Sequence, residues 1–142
     1  MNRFTRLFCL LVGLVWPLCA VHADILLHQA DGSELLLEQA ARRLVTLSPN
    51  LAELVYAAGA GGHLLATVEY SEYPDAAENL PRIGEAFRLV IEVFVALLPD
   101  LVIGCDSGNP KASVKLLRSL GIAVWAVEIR QAEQIGGTLV EI

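Results

Sequence analysis

From Leu44 onward the chain repeats one unit: a short apolar run, a polar loop, then a segment of helical character. The apolar runs are Leu44 to Leu47, Leu64 to Val68, Asp100 to Gly104 and Ile122 to Val127. Helices are predicted from Asn50 to Ala58 with a stop at Gly59, from Val90 to Leu98 before Pro99, from Lys111 to Leu120 before Gly121, and from Gln131 onward. Strands alternating with helices at this spacing predict an α/β lobe, a Rossmann-like parallel sheet with flanking helices. Two starts fit the first helix. Asn50 with Glu53 has capping-box spacing, and Pro49 could equally follow a Ser48 cap. Ahead of the repeat, Ile25-Leu26-Leu27 and Leu35-Leu36-Leu37 flank Asp31-Gly32, which predicts a β-hairpin.

The first 23 residues follow a different logic. They carry Arg3 and Arg6, no acid, an apolar stretch from Leu7 to Trp16, then Pro17 and the small residue Ala23. That order predicts a cleavable secretory signal ending at Val21-His22-Ala23. A retained anchor helix is the rival, but the apolar run falls short of the about 20 residues a membrane-spanning helix needs. Cys19 follows Trp16-Pro17-Leu18, which lacks the small residues a lipoprotein signal requires. Removing residues 1–23 takes two arginines and no acid, so the formal charge moves from -6 to -8. That sign excludes a grip on phosphate backbones, so no nucleic-acid partner is expected. A chain that is 55% hydrophobic is no disordered tail either. Only Cys105 would remain, and one thiol makes no internal disulfide.

In open α/β sheets ligands bind outside the carboxyl ends of the strands. Here those ends are Ser48-Pro49-Asn50, Glu69-Tyr70-Ser71, Cys105-Asp106-Ser107-Gly108-Asn109 and Glu128-Ile129-Arg130. Ser48 and Asn50 read first as helix caps, and Ser107 to Pro110 makes a helix-entry turn without any ligand. Tyr70 stands apart, because it offers a flat face and a hydroxyl at a strand exit. Enzyme signatures are missing. Gly59, Gly61 and Gly62 follow a helix, where a dinucleotide fingerprint would follow a strand. There is no P-loop and no Gly-x-Ser-x-Gly elbow. His28 and His63 lack metal-ligand spacing, and no base is nominated for Cys105. No catalytic residue, metal or cofactor is expected.

The run Arg43-Leu44-Val45-Thr46-Leu47-Ser48-Pro49-Asn50, continuing through Glu53-Leu54 to Ala57-Ala58-Gly59, resembles the substrate-binding proteins of ABC importers. The group is the long-helix-bridged type that carries cobalamin, haem and ferric siderophores. Glu69 to Pro74, Leu97 to Gly104 and Ser119 to Val124 extend the likeness over nearly all of residues 42–142. The tyrosine-rich loop and Asp106 to Pro110 are most similar to the cobalamin-binding branch.

The resemblance implies two lobes joined by a long helix, with ligand held between them in the Gram-negative periplasm. Residues 24–130 would be the N-terminal lobe and 131–142 the start of the inter-lobe helix, cut short. Ile135, Leu139 and Ile142 share a face there, with no stop residue after them. The implied ligand is a corrinoid, with haem or a ferric siderophore as alternatives, and a truncated non-binding fragment as a further one. The implied contacts are Ser48, Pro49, Asn50, Tyr70, Phe87, Cys105, Asp106, Ser107 and Asn109. Glu92 matches the acidic residue that docks onto the importer's permease. Cys105 stands where cobalamin binders often have Trp, Ala86 at a position that can be aromatic, and Val90 and Leu98 where polar residues are usual.

Overall fold

The computed structural model describes residues 24–130 and 132–142, so the expectations for the signal segment and for Gln131 lie outside it. In chain order the elements are β1 (Ile25–His28), β2 (Glu34–Leu37), β3 (Leu44–Thr46), α1 (Pro49–Ala57) and β4 (Leu64–Ala66). There follow α2 (Asp75–Glu78), β5 (Gly84–Glu85), β6 (Arg88–Leu89) and α3 (Ile91–Leu97). β7 (Leu101–Cys105), α4 (Lys111–Ser119), β8 (Val124–Val127) and α5 (Ala132–Glu141) complete the lobe.

Four strands pair in the order β4-β3-β7-β8, all parallel, as the strand–helix alternation predicts. Each side chain along β3 and β7 points to the opposite face from the last, so the apolar runs feed two cores. Leu44, Leu101 and Ile103 join Trp125 and the α1 residues Leu51, Ala52 and Val55 on one face. Val45, Leu47 and Val102 join Phe94 of α3 and Leu117 of α4 on the other. Both faces are covered, which is why these strands read as unbroken hydrophobic runs. Truncating a fully buried leucine such as Leu51 to alanine should cost about 3 kcal/mol.

The β1–β2 hairpin pairs Ile25 with Leu37 and His28 with Glu34, around the predicted Asp31-Gly32 turn, where Gly32 has φ 82°. It is strapped to the last strand of the sheet. The Ala30 amide donates to the Ala126 carbonyl at 2.8 Å, and the Trp125 indole Nε1 donates to the His28 carbonyl at 2.8 Å.

Several local expectations are corrected. Asn50 is not the cap of α1: Ser48 is, with extended backbone and Pro49 in the first turn, and its hydroxyl makes no capping bond. Segment 84–89, read as loop, forms the two-residue strands β5 and β6. Gly84 sets that hairpin, since at φ 99° an added Cβ would lie 2.3 Å from the Arg88 carbonyl oxygen. α3 starts one residue after Val90 and ends at Leu97, and β8 begins at Val124, two residues late. Just after α5, Ile142 packs against the core that holds Trp125, whereas Ile135 on the helix is 38% exposed. No helix among the described residues is long and apolar enough to cross a membrane.

Candidate functional site

Parallel strands aim all their carboxyl ends at one rim, and there the chain leaves a cavity of about 480 Å³. Six of the residues singled out in the sequence line it: Ser48, Pro49, Asn50, Tyr70, Phe87 and Cys105. The structure adds Glu69, Glu85, Ala86 and Gly108. No Lys or Arg is among these lining residues, so both charges on the wall are negative. Gly108 keeps room beside Cys105, because a Cβ there would sit 3.1 Å from the Cys105 sulfur.

Two aromatic rings rise from this rim. Tyr70 is 74% exposed and Phe87 75% exposed, and the two rings share one cavity wall rather than lying scattered. Tyr70 holds a left-handed backbone at φ 66°. Below it a buried hydroxyl chain runs from Thr46 Oγ1, which donates to Thr67 Oγ1 at 2.9 Å, on to Ser71 Oγ at 2.9 Å. The Tyr70 loop is also tied to the Phe87 hairpin, since the Glu69 amide donates to the Gly84 carbonyl at 2.9 Å.

Ser48 differs from these satisfied groups. Its hydroxyl is the one buried side-chain oxygen or nitrogen among the described residues that finds no hydrogen-bond partner. Ser48 is only 9% exposed, yet it lines the cavity. A buried polar group left unpaired costs about 1–3 kcal/mol, and a polar ligand atom would recover it.

Asp106, Ser107 and Asn109, named with the others in the sequence, do not line the cavity. Their polar atoms are turned to the protein. The Asn109 amide nitrogen donates to the carbonyls of Leu47 at 2.9 Å and Ala86 at 3.0 Å, while its oxygen accepts from the Cys105 amide at 2.6 Å. It knits β3, β7 and the Phe87 hairpin together. Ser107 donates from both amide and hydroxyl to Glu128, each at 2.9 Å. Arg130 bonds the same carboxylate, and these contacts, Arg130 first, hold Glu128 below the ordinary glutamate range. Asp106 pairs with Lys111. Glu92 is exposed in the first turn of α3 and is not among the residues that line the cavity.

Thr67, Ser71, Arg82, Glu69 and Glu85 were not picked out as site residues from the sequence. One signal was available for Thr67. Thr46 and Thr67 interrupt otherwise apolar strand ends, and buried hydroxyls need partners. Among the described residues no cluster of His, Cys, Asp and Glu could hold a metal ion.

The chain matches no family model. It is 38% identical over 101 residues to a vitamin B12-binding protein of Yersinia pestis (strain Pestoides F), a match covering 71% of this chain and 36% of that protein. Among solved structures, the periplasmic vitamin B12 binding protein BtuF of Vibrio cholerae is 40% identical with TM-score 0.58, over 61% of this chain and 34% of that one. A periplasmic heme binding protein from Pseudomonas aeruginosa is 26% identical with TM-score 0.65, over 72% of this chain and 37% of its own. The chain thus spans about a third of the length of the proteins it matches. These proteins are named for binding, in agreement with a binding module and not an enzyme.

Proposed function

We propose that this chain, a relative of the periplasmic vitamin B12-binding proteins, is the N-terminal lobe of the corrinoid-binding component of an ABC importer. The lobe would hold its ligand at the carboxyl rim of the sheet and pass it to a membrane permease. The supporting observation is the cavity itself, with two exposed aromatic rings and two carboxylates on its wall. A corrin presents a broad apolar disc edged by neutral amides. Tyr70 and Phe87 offer flat surfaces for the disc, and Glu69 and Glu85 can accept from amide N–H groups. Haem carries propionates and ferric siderophores are commonly anionic, so both would meet repulsion from the same carboxylates with no lining cation to offset it. The unpaired Ser48 hydroxyl supplies one further polar contact on the floor.

A second lobe would close the clamp from the other side, with α5 as the start of the bridging helix. Glu92, exposed on α3, would be the acidic contact to the permease, and export to the periplasm would follow from the segment ahead of residue 24. With one lobe only one face of the disc is covered, so these 142 residues alone should bind corrinoid more weakly than roughly micromolar.

Titrating cyanocobalamin and gallium protoporphyrin, a diamagnetic stand-in for haemin, separately into the chain, with the ring signals of Tyr70 and Phe87 followed by NMR, tests the reading. Shifts of both rings with cyanocobalamin and smaller ones with the porphyrin are expected. Shifts with the porphyrin alone would move the assignment to the haem-binding relatives, and silence with both would sink the cavity as the ligand site.

A further inference from the structure

Residues 67–71 form an arch over the end of β4. Both feet are buried, with Thr67 and Val68 on one side and Ser71 on the other, while Tyr70 at the top stands almost free in solvent. A tyrosine rarely adopts φ 66° unaided, because its Cβ crowds the backbone there. Something must hold it.

Two side chains, both absent from the cavity wall, hold the feet of the arch. The Thr67 hydroxyl receives the Thr46 hydroxyl and shares a hydrogen bond with Ser71 Oγ, so it fixes the position of the residue that follows Tyr70. Arg82 reaches in from the neighbouring segment and donates to the carbonyls of Val68 at 3.4 Å and Ser71 at 3.1 Å, which bracket Glu69 and Tyr70. It also donates to the Glu78 carbonyl at 3.3 Å. The backbone beside Arg82 is laced to the same foot. Thr67 donates its amide to Pro81 at 3.1 Å and accepts from the Ile83 amide at 3.0 Å. With both feet pinned, a two-residue span has little room to relax back to φ below zero.

We infer that Thr67 and Arg82 are positioning residues, a buried polar clamp that fixes Tyr70 in its left-handed, outward pose and so sets the aromatic wall of the cleft before any ligand arrives. This rests on reading the cavity as a ligand site. Preorganisation of this kind spares the ligand the cost of ordering the ring.

NMR on the whole chain tests the clamp without ligand. A positive φ brings a residue's amide proton close to its own Hα, giving a strong intraresidue NOE at Tyr70 and, as an internal reference, at Leu98. In Thr67→Val the NOE at Tyr70 should be lost while that at Leu98 stays. Thr67→Ser should restore it, and Arg82→Lys should weaken it. An unchanged Tyr70 NOE in both Thr67→Val and Arg82→Lys would overturn the inference. If Thr67→Val loses the Leu98 signal as well, the fold itself has gone, and Ser71→Ala, which deletes only the last hydroxyl of the chain, decides by the same reading. Cyanocobalamin separates the two proposals. Loss of the NOE in the variants, with no ligand shift of the Tyr70 ring in the unaltered chain, would support the clamp and remove the ligand reading.

Discussion

Tyr70 and Leu98 are the two non-glycine residues with positive φ among those described, at 66° and 47°. They are almost equally exposed, at 74% and 71%. One sits at the carboxyl rim of the sheet and the other just before the amino end of β7. Leu98 occupies the position after a helix that glycine usually fills, and its amide closes α3 by donating to the Phe94 carbonyl at 3.0 Å. Its own amide supplies that cap within α3, and the Arg43 guanidinium, 55 positions earlier in the chain, adds donors to the carbonyls of Leu97 and Leu98. Tyr70 terminates no helix. Its support comes from buried hydroxyls and an arginine drawn from three segments of the chain. The same backbone state thus has two causes: at Leu98 it ends an element, and at Tyr70 it presents a side chain.

That contrast can be broken from either side. The largest effect should come from Arg82→Ala, which strips three carbonyls of a charged donor and should cost about 3 kcal/mol in urea unfolding. Equal stability to the unaltered chain would show that the arch stands without its clamp. Arg43→Ala at the other end should cost about 1.5 kcal/mol, with Tyr70 signals untouched, because its two bonds are solvent-exposed. Leu98→Gly should stabilise by about 1 kcal/mol and leave cyanocobalamin shifts at Phe87 unchanged. Tyr70→Gly should relieve similar strain but abolish much of the ligand response, and a variant that binds as before would erase the distinction. The smallest effect is set by pH. Glu128 is held below the ordinary glutamate value of 4.5, so its contribution is fully present above that value and fades as pH falls through the lowered one. Amide protection at Ser107, which donates to Glu128, measured against the intrinsic exchange rate at each pH, should therefore fall on acidification while protection at Leu98 does not. Glu128→Gln should remove the pH step.

The sheet was legible because its signals are dense. Four apolar runs buried on both faces need no partner to be recognised as strands, and Gly59 and Gly121 marked helix ends that the structure keeps, at φ 82° and 80°. The hairpin at 84–89 escaped because its two-residue strands are too short to show a period, and Gly84 alone carried the signal. At the rim, Tyr70 and Phe87 could be read as bulky residues in polar loops. The clamp could not. Thr46, Thr67, Ser71 and Arg82 are spread over 37 positions and meet only after β3 and β4 pair. Asn109 shows the opposite error: a polar residue in a strand-exit loop whose amide is spent on backbone partners at Leu47, Ala86 and Cys105.

The strap between the β1–β2 hairpin and β8 sets an order of events. Trp125 and His28 are 97 positions apart, so the hairpin, early in the chain, cannot make its hydrogen-bonded strap until β8, the last strand, is in place. Closing a loop of that length is slow relative to forming the local strand–helix units. The earliest strands described here should therefore be the last to lock. A chain stopped before residue 124 would leave Leu27, which the finished fold buries, without its cover from Trp125, a sticky intermediate.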